Sequence, residues 1–408
     1  MKLLHIADVH LDRSFEGLTV LSKSLAQRLH SANQLVLRRL VDAALQNEVD
    51  AVIFAGDTFH QSRTSIQTQT MFLEEVQRLV EKDIHVMMTF GNHDYYDRER
   101  YWFDFPEGVY LFESESVETH YFVTKGNERV AVSGFSYVSP WLESSKLSEF
   151  PLRAADADIH IGVYHGDVAA GEQSRYAPFS LSEMKSFGYD YWALGHIHQP
   201  QVLSADPLIV YPGTPQGHTK KEQGLKGAGL VTLGDQHATV HFVPVEDVRW
   251  DKAHHSLAGQ TTKKDALAHL QAELTKEERS QGLTLLELHL THTEQLGQDF
   301  VLACDNGELL AHLQSYLSDR QPQTMVHHIA TGQVTTTERY LVQADPRLIK
   351  QLEDNYLQPD IFMEATKELQ QHPLVSQLGL SSMAWREECV QRADQYIRQH
   401  FTIQEDLS

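Results

Sequence analysis

Five short segments in the first half of the chain carry side chains of the kinds that bind divalent metal ions. In order they are Asp8-Val9-His10, Gly56-Asp57-Thr58-Phe59-His60, Gly91-Asn92-His93-Asp94, His165-Gly166 and Gly195-His196-Ile197-His198. Carboxylates, an amide and imidazoles without a thiol suit borderline-hard octahedral ions, and Mn²⁺ is the ion we expect. Hydrolysis of a phosphoester at neutral pH requires positive charge at the phosphate and a deprotonated water, and two bridged metal ions provide both. The segments therefore predict a binuclear hydrolytic site.

Two of the segments place ligands at positions i and i+2. Asp8 and His10 follow an apolar run, and His196 and His198 repeat the spacing after Gly195, which leaves room for the backbone to approach a metal. At the end of a strand, such pairs project to one side. Taken alone, each pair is more common in an ordinary loop, so the prediction depends on all five segments occurring in this order.

The other segments supply different ligand types. Asp57 has two carboxylate oxygens, so it can bridge two cations about 3.5–4 Å apart. Asn92 offers a neutral amide oxygen, and His165 would complete the second metal. His93 is not needed as a ligand and is expected to point at the substrate. A simple turn is the alternative interpretation here, because Gly-Asn is a common turn dipeptide.

Residues 1–250 alternate short apolar runs with amphipathic stretches. The predicted strands are Leu3–Ala7, Ala51–Ala55, Ile84–Phe90, Ile159–Tyr164 and Tyr191–Leu194, and the predicted helices are Leu21–Leu45 and Ser65–Val80. The order strand, helix, strand, helix, strand indicates α/β layering with helices on the faces of the sheet. In such sheets functional groups lie at the carboxyl ends of the strands, which is where all five segments fall.

After about Trp250 the ligand segments stop. Residues 251–340 predict a small α/β module with helices at Lys263–Leu274 and Gly307–Tyr316 and strands at Leu283–Leu290 and Met325–Ile329. Residues 341–408 predict a helical tail, in which Pro346 and Pro359 stand where helices can begin. One apolar face of the tail contains Trp385, Cys389, Ala393, Tyr396, Ile397 and Phe401.

Composition limits where the protein works. The chain of 408 residues has two cysteines, Cys304 and Cys389, in no metal-like spacing, which suits a reducing compartment. The first apolar run is too short for a signal-peptide core, and no later run reaches the roughly 18 apolar residues of a membrane helix. We therefore expect a cytoplasmic protein that uses no membrane.

The net charge of -22 opposes binding to nucleic acid, because affinity for the phosphate backbone comes from clustered Lys and Arg. A filled binuclear site adds about four positive charges at the point of contact. Basic clusters occur at Arg98 and Arg100 and at Lys220, Lys221 and Lys226. Each cluster taken alone is typical of a solvated face.

The ordered set of segments resembles the calcineurin-like metallophosphoesterase superfamily, and more narrowly the nuclease subunits of DNA double-strand-break repair complexes of the bacterial SbcD type. The length, the variant Asp8-Val9-His10-Leu11-Asp12 and the divergent C-terminal half look most like the YhaO-type DNA repair exonucleases of Firmicutes. The motif resemblance covers about residues 1–230. It implies a two-sheet α/β/β/α sandwich for residues 1–250.

The resemblance also implies a role for each site residue. One metal would be held by Asp8, His10, Asp57 and His198, and the other by Asp57, Asn92, His165 and His196. His93 would be the catalytic histidine and Asp94 its orienting partner. His60 matches a family histidine that contacts the substrate phosphate. The alternative is that His60 contacts a metal ligand and supports it from outside the metal site.

Two further positions bear on that resemblance. Tyr211-Pro212-Gly213-Thr214 matches a late family segment that usually ends in serine. Asp12 is a departure, because many relatives have glycine there. An extra carboxylate beside the site would repel phosphate or shift the metal preference.

By the same resemblance, the chain would be a DNA exonuclease or endonuclease of DNA repair, associated with the nucleoid. Residues 251–340 would cap the active site and select DNA ends, and the chain would form a homodimer. Residues 341–408 would dock on an SMC-like, SbcC-type coiled-coil ATPase. That tail carries eleven acidic and six basic residues, which suits a protein partner better than DNA. Packing on its own domain is the alternative interpretation of its apolar face.

Three other functions share parts of this pattern. Protein phosphatases of the superfamily continue from Gly-Asp into Asp-Arg-Gly and carry Gly-Asn-His-Glu, whereas here Phe59-His60 and Asp94 stand at those positions. A cyclic-nucleotide phosphodiesterase shares the metal set, but a small substrate does not need residues 251–408. A non-catalytic scaffold is disfavoured because all seven proposed metal ligands and His93 are present.

Overall fold

The computed structural model describes residues 1–18, 23–60, 64–169, 174–224, 226–234, 238–276, 282–331, 340–343, 354–367, 383, 385–387, 389–390, 393 and 401–404. Contacts divide the chain into two compact units, Met1–Gly332 and Gln333–Ser408. Among the described residues, no helix is both long enough and apolar enough to cross a lipid bilayer.

The first unit contains two six-stranded sheets. In the first sheet four strands run parallel, namely β1 (Lys2–Ile6), β2 (Ala51–Ala55), β3 (His85–Thr89) and β4 (Val109–Leu111). Two antiparallel strands extend this sheet beyond β1, β11 (Gly227–Thr232) and then β12 (Thr239–Pro244).

The second sheet has the order β5-β6-β7-β8-β10-β9. Its strands are β5 (Glu118–Val123), β6 (Arg129–Gly134), β7 (Ile159–His165), β8 (Tyr191–Gly195), β9 (Gln201–Ala205) and β10 (Leu208–Tyr211). The four inner strands are parallel, and the edge strands β5 and β9 are antiparallel to their neighbours.

Strand β2 shows how the layers pack, because all five of its residues are buried. Side chains alternate along a strand, so Ile53 faces the core between the two sheets, whereas Phe54 faces the helices on the outside. Those helices are α1 (Lys23–Gln46) and α2 (Ile66–Val80). A strand buried on both faces has no polar positions, which explains the continuous apolar run in its sequence.

The outer face of the second sheet is also covered. Tyr164, Trp192 and Ile209 of that sheet join a core cluster with Met184. Met184 belongs to the short helix α3 (Leu181–Lys185). The layers therefore follow the order α/β/β/α, and the predicted sandwich is confirmed.

The elements predicted around the site agree with the structure to within two residues. Ser65 caps α2, since its hydroxyl accepts a hydrogen bond from the Thr68 amide at 3.0 Å. Strands β4, β5, β6 and β9 to β12 were not predicted. Several of these strands are short, and several have exposed positions, so they lack the continuous apolar run that identifies β2.

A three-stranded parallel sheet with helices follows the sandwich. Its elements are β13 (Val248–Ser256), α4 (Lys263–Lys276), β14 (Leu283–Thr291), α5 (Gln298–Asp305), α6 (Glu308–Arg320) and β15 (Thr324–Thr331). The predicted boundary between residues 250 and 251 lies inside β13, so this sheet begins at Val248. Its role in selecting DNA ends stays a prediction.

The two faces of this small sheet have different neighbours. Leu270 of α4 and Leu313 of α6 pack on one face around Leu286. On the other face, Trp250 joins a cluster with Leu29 of α1. The Trp250 indole also donates a hydrogen bond to the carbonyl oxygen of Gly217 at 3.1 Å. The small sheet is therefore anchored beside the loop that follows Gly217.

The second unit differs from an all-helical tail. Strand β16 (Tyr340–Gln343) pairs in parallel with β17 (Phe401–Gln404), so the apolar face predicted for one helix ends in a strand at Phe401. Both tetrapeptides contain the aromatic and β-branched residues that favour strands. A helix does begin at Pro359, as predicted, and runs over Pro359–Ala365. Pro346, Tyr396 and Ile397 lie outside the described residues.

Trp385 of the predicted apolar face has a partner inside its own unit. Its ring lies 5.4 Å, centroid to centroid, from that of Phe362, in an edge-to-face arrangement. Phe362 is buried. At Trp385, therefore, the face contributes to packing within the second unit.

His160 of β7 makes the stability of the first unit sensitive to acid. Its ring is fully buried, with Nδ1 accepting from the Ala154 amide at 2.9 Å and Nε2 lying 2.8 Å from the Ser133 hydroxyl. Burial, with help from Arg153, lowers the pKa of His160 to about 4. Because the unfolded chain then binds the extra proton more readily, stability falls as pH drops from about 6.5 towards about 4.

We expect His160→Gln to flatten this dependence. The free energy of unfolding in urea, measured with a chelator at pH 7 and pH 5, should fall by about 2 kcal/mol less in the variant than in the wild type. Gln can still accept one hydrogen bond and donate another. An unchanged difference between the two pH values would exclude His160 as the titrating group.

Candidate active site

The predicted site residues come from both sheets of the sandwich and meet at the carboxyl ends of parallel strands. Asp8 and His10 follow β1, Asp57 follows β2, and Asn92 follows β3. His165 is the last residue of β7, and His196 follows β8. The two sheets thus bring segments up to 190 residues apart in sequence into one cluster.

Four of these residues have a backbone conformation that side chains other than glycine rarely adopt. The φ angles are 53° at Asp8, 48° at His10, 52° at Asp57 and 103° at His196. Backbone hydrogen bonds hold the first two loops together, from Asp8 N to Gly56 O at 3.1 Å and from His10 N to Asp57 O at 3.1 Å. Strain of this kind costs about 1–3 kcal/mol per residue and concentrates at functional sites.

Two glycines allow the ligands to approach one another. A Cβ atom on Gly56 would lie 2.3 Å from the Nδ1 atom of His165, and one on Gly91 would lie 2.3 Å from the Oδ1 atom of Asp57. Gly56 also has a φ of +86°. Any side chain at either position would displace a predicted metal ligand.

Asp57 lies between the two predicted ligand groups. Its Oδ2 atom is 3.4 Å from His165 Nε2 and 3.9 Å from His10 Nε2. Its Oδ1 atom accepts a hydrogen bond from the His93 amide at 2.9 Å. Burial alone would raise the pKa of Asp57, but the neighbouring histidines outweigh burial and lower it. The carboxylate therefore stays charged. One oxygen facing both groups is the arrangement that a bridging ligand requires.

Two overlapping groups of ligand atoms have the proximity that a metal site needs. The ligand atoms of Asp8, His10 and His198 lie within 4.8 Å of one another, and so do those of Asp8, Asp57 and His165. Asp8 therefore lies nearer to the second group than the predicted assignment implied.

The chemistry of these donors fits divalent cations. Burial lowers the pKa of His10 well below its usual value, so its ring is neutral and offers a lone pair. The Nε2 atoms of His10 and His198 are 3.2 Å apart. Imidazoles and carboxylates converging at such distances form a suitable donor set for two divalent metal ions.

His165 and Asn92 are held in ligand-like positions. The Nδ1 atom of His165 donates to the carbonyl oxygen of Ala55 at 2.9 Å, which directs Nε2 towards the cluster. Asn92 Oδ1 lies 3.2 Å from that Nε2 atom. The ring of His196 stands against that of His165, with centroids 5.4 Å apart. The structure thus brings all seven predicted ligands together, and their individual roles remain predictions.

His93 and His60 lie side by side next to His10. The rings of His60 and His93 are stacked with centroids 4.8 Å apart, and His93 Nδ1 donates to the carbonyl oxygen of His60 at 3.2 Å. His60 Nδ1 lies 3.3 Å from His10 Nδ1. His60 therefore contacts both a predicted ligand and the predicted catalytic histidine, so both interpretations of His60 remain open.

Asp94 has a different task from the expected one of orienting His93. Its carboxylate accepts backbone hydrogen bonds from Asp57, Thr58, Phe59 and Gly91, at 2.7 to 3.2 Å. It is buried, whereas the His93 side chain is exposed, because successive residues of this turn point in opposite directions. Asp94 therefore fixes the Asp57 loop to the Gly91 turn.

Residues 1–200 match the protein-family model described as calcineurin-like phosphoesterase. Over these residues the chain resembles a calcineurin-like phosphoesterase domain. The family agrees with the one that the five segments resembled, and with the two-sheet fold observed here.

Three curated proteins are similar over a longer stretch. Over 255 residues the chain is 36% identical to the uncharacterized metallophosphoesterase YhaO of Bacillus subtilis, with 62% of each chain covered. Over 278 residues it is 27% identical to the DNA double-strand break repair protein Mre11 of Methanopyrus kandleri, covering 62% of this chain and 58% of that one. It is 26% identical over 286 residues to a subunit of the nuclease SbcCD of Bacillus subtilis, covering 62% and 69%. The match thus spans about three fifths of the first two relatives.

Asp12 does not act as a bare carboxylate in the phosphoesterase domain. Its Oδ1 atom accepts a hydrogen bond from the His60 amide at 2.7 Å. Burial raises the pKa of Asp12 above its usual value. Asp12 therefore holds the His60 loop, and both features reduce the repulsion of phosphate that the sequence led us to expect.

The Tyr211-Pro212-Gly213-Thr214 segment ties the loops of the phosphoesterase domain together. The Tyr211 hydroxyl donates to the carbonyl oxygen of Gly166 at 2.6 Å. The Thr214 hydroxyl lies 2.8 Å from the carbonyl oxygen of Asp8. A serine offers the same hydroxyl group, so threonine preserves the contact that this segment makes.

Sequence reasoning missed Glu222, which is buried against His198. The Nδ1 atom of His198 donates to Glu222 Oε1, which leaves Nε2 for the ligand cluster. The Oε2 atom of Glu222 accepts from the amides of His218 and Thr219 at 2.7 and 2.9 Å. Burial alone would raise the pKa of Glu222, but the hydrogen bond from His198 outweighs burial and lowers this pKa to about 2. Carboxylates in this position orient a metal-binding histidine.

We expect Glu222→Gln to weaken metal binding about 10- to 100-fold, because Gln retains the shape of Glu222 but not its charge. Competition of the protein with a chelator for Mn²⁺ measures this effect. Glu246→Gln is the matched control, since Glu246 is also buried but binds Arg249 instead. Equal affinities in the two variants would exclude an orienting role for Glu222.

Asp167 was also missed. Its Oδ2 atom lies 4.0 Å from His196 Nε2, and its Oδ1 atom is buried without a hydrogen-bond partner in the described residues. In the sequence, the feature that could have indicated Asp167 is its position two residues after His165. Asp167 adds a carboxylate on the His196 side of the site.

Proposed function

We propose that the chain hydrolyses phosphodiester bonds in DNA and uses two divalent metal ions, preferably Mn²⁺. The observation that carries this proposal is the position of Asp57 Oδ2, 3.4 Å from His165 Nε2 and 3.9 Å from His10 Nε2, beside an exposed His93. A shared carboxylate suits two cations, and the adjacent histidine is open to substrate. The absence of thiols from the donor set supports Mn²⁺ over softer ions.

The residues of the chain divide the work of hydrolysis between them. Asp8, His10, Asp57 and His198 would hold one ion, and Asp57, Asn92, His165 and His196 the other. When bound, two such ions supply positive charge at the reacting phosphate and allow water to attack at neutral pH. His60 would contact a phosphate oxygen.

His93 would move the proton. Its Nδ1 atom is engaged with the carbonyl oxygen of His60, so Nε2 is the atom that can donate a proton to the leaving oxygen. Stacking on His60 holds the ring in place. Asp57 Oδ1 fixes the backbone of the same residue at 2.9 Å, which couples the position of His93 to the ligand cluster.

DNA is the substrate we favour over a cyclic nucleotide. Two of the relatives carry names that describe a DNA repair protein and a nuclease. The small sheet β13 to β15 with its helices lies beside the Gly217 loop and adds a surface that a small substrate does not require. A scaffold without activity is disfavoured because Asp57 and His93 keep the contacts that catalysis needs.

The test uses the full chain, reconstituted with Mn²⁺. End-labelled duplex and single-stranded DNA, bis-p-nitrophenyl phosphate, a cyclic mononucleotide and cyclic dinucleotides are offered as substrates. We expect cleavage of DNA and of the chromogenic diester, both abolished by a chelator and restored by Mn²⁺. Efficient hydrolysis of the cyclic compounds with intact DNA would replace this proposal by the small-molecule one, and no hydrolysis at all would support a scaffold.

We also propose an SMC-like coiled-coil ATPase as partner. With a net charge of -22 this chain has poor affinity for DNA, and the partner would bind the DNA in its place. One relative is named as one subunit of a nuclease, SbcCD, and so belongs to an assembly. In the second unit, Met363 and Met383 are exposed apolar residues, whereas Trp385 contacts Phe362. The exposed methionines are therefore better docking candidates than Trp385.

The partner proposal can be tested in the full chain. Met363→Asp and Met383→Asp, combined, should prevent co-purification with a co-expressed ATPase, while circular dichroism confirms the fold. A matched double variant on the first unit, Val123→Asp with Val202→Asp, changes two exposed apolar residues and should still bind. Equal binding by both variants would place the docking site elsewhere. Light scattering of the unmodified chain tests the expected homodimer.

A further inference from the structure

A cavity of 630 Å³ opens beside the ligand cluster. His198 forms part of its wall, so the cavity borders the ligand cluster. Its charged lining residues are Arg13, Glu16, Lys220, Lys221 and Glu222. Nothing in the proposed chemistry of the phosphoester bond uses this space.

The charges of the lining are not equally available to a ligand. The guanidinium of Arg13 binds Glu16 at 3.0 Å and Glu222 at 3.3 Å, and Glu222 also binds His198. Lys220 and Lys221 are exposed, and within the described part of the chain no carboxylate lies within ion-pair distance of either ammonium group. Both acidic groups of the cavity therefore already have partners, Arg13 or His198, whereas the two lysines remain for a ligand.

The backbone that carries these lysines is fixed relative to the site. Glu222 accepts hydrogen bonds from His218 and Thr219 on one side and from His198 on the other. The Glu16 amide donates to the carbonyl oxygen of His218 at 2.9 Å. These hydrogen bonds tie the segment that carries the two lysines to His198.

We propose that this cavity binds the phosphate next to the scissile one in a nucleic acid strand. The inference rests on the proposed function and specifies its substrate. Phosphates recur along a strand every ~3.4 Å of helix axis, so a strand with one phosphate at the ligand cluster presents another one close by. A small diester has no second phosphate and leaves the cavity empty. The cavity would thus distinguish a polynucleotide from a small phosphodiester.

The test compares substrates that differ by one phosphate. Thymidine 5′-(p-nitrophenyl phosphate) is measured with and without a 3′-phosphate, and thymidine 3′-(p-nitrophenyl phosphate) with and without a 5′-phosphate. Each pair has the same scissile bond and chromophore, and the two pairs together cover both strand directions. We expect the extra phosphate to raise kcat/KM about tenfold in one pair, mainly through KM, and the gain to shrink as salt is added.

The lysines are tested by charge removal. Lys220→Gln with Lys221→Gln should lose the preference for the second phosphate. Lys185→Gln with Lys264→Gln removes the same charge from exposed positions outside the cavity and should keep the preference. Circular dichroism confirms the fold of both variants.

The outcomes separate this inference from the proposed function. If wild-type protein hydrolyses the one-phosphate substrates but shows no preference in either pair, the subsite is refuted while the hydrolase remains. A preference that survives in the Lys220 and Lys221 double variant also refutes it. If the wild type hydrolyses none of the substrates, the proposed function itself fails.

Discussion

Replacing Asp57 by asparagine is expected to remove both metal ions and nearly all hydrolysis. Asp57 Oδ2 faces His165 and His10 at 3.4 and 3.9 Å, so the loss of its charge affects both proposed ion sites. Asparagine keeps the size of the side chain and an oxygen that can accept the His93 amide. The ions contribute several kcal/mol of transition-state stabilisation, so we expect the rate to fall at least about 10³-fold.

Elemental analysis of the purified variant measures the effect independently of activity. Asp12→Asn is the matched control, because it removes a nearby carboxylate whose Oδ1 atom binds the His60 amide and lies outside both ligand groups. The control should retain two ions per chain. Two full equivalents in Asp57→Asn would contradict the bridging role. One equivalent would transfer that role to Asp8, which belongs to both ligand groups.

The sequence predicts those site residues that stand at the carboxyl ends of buried strands. Strands β1, β2, β3, β7 and β8 are buried on both faces, so each appears as an apolar run, and the carboxylate, amide or imidazole at or just after its end marks the carboxyl end. Parallel strands place those ends at one edge of a sheet. Asp57 after β2 is the clearest case.

Glu222 could not be found in this way. It follows no buried strand and stands after two lysines, which is the pattern of a solvated loop. Its contact with His198 joins residues 24 positions apart and depends on how the loop after Gly217 folds back on the site. No local pattern contains that information.

Asp94 shows a different limit. Adjacency in sequence favoured a hydrogen bond to His93, but the turn directs the two side chains apart and gives Asp94 four backbone donors. Strand β13 was predictable in principle, because buried and more exposed residues largely alternate along Val248–Ser256. The assignment of a boundary at Trp250 concealed that period-two pattern.

Replacing His93 by glutamine is expected to slow hydrolysis of DNA about 10²- to 10⁴-fold, the range for loss of a general acid. The effect should depend on the leaving group. Deoxyribose oxygen leaves poorly without a proton, whereas p-nitrophenolate leaves readily as the anion. The rate on bis-p-nitrophenyl phosphate should therefore fall much less than the rate on DNA. A merely structural role for His93 would lower both rates alike.

The metal content of His93→Gln distinguishes a proton-donating role of His93 from a metal-binding role. His10, His60 and His93 have ring nitrogens within 4.8 Å of one another, so this trio also has the proximity of a metal site. If His93 only donates a proton, His93→Gln keeps two ions by elemental analysis and loses DNA cleavage selectively. If His93 binds an ion, the variant loses metal and both substrates suffer equally. The exposed ring of His93 favours the first result, because all seven predicted ligands are buried or partly buried.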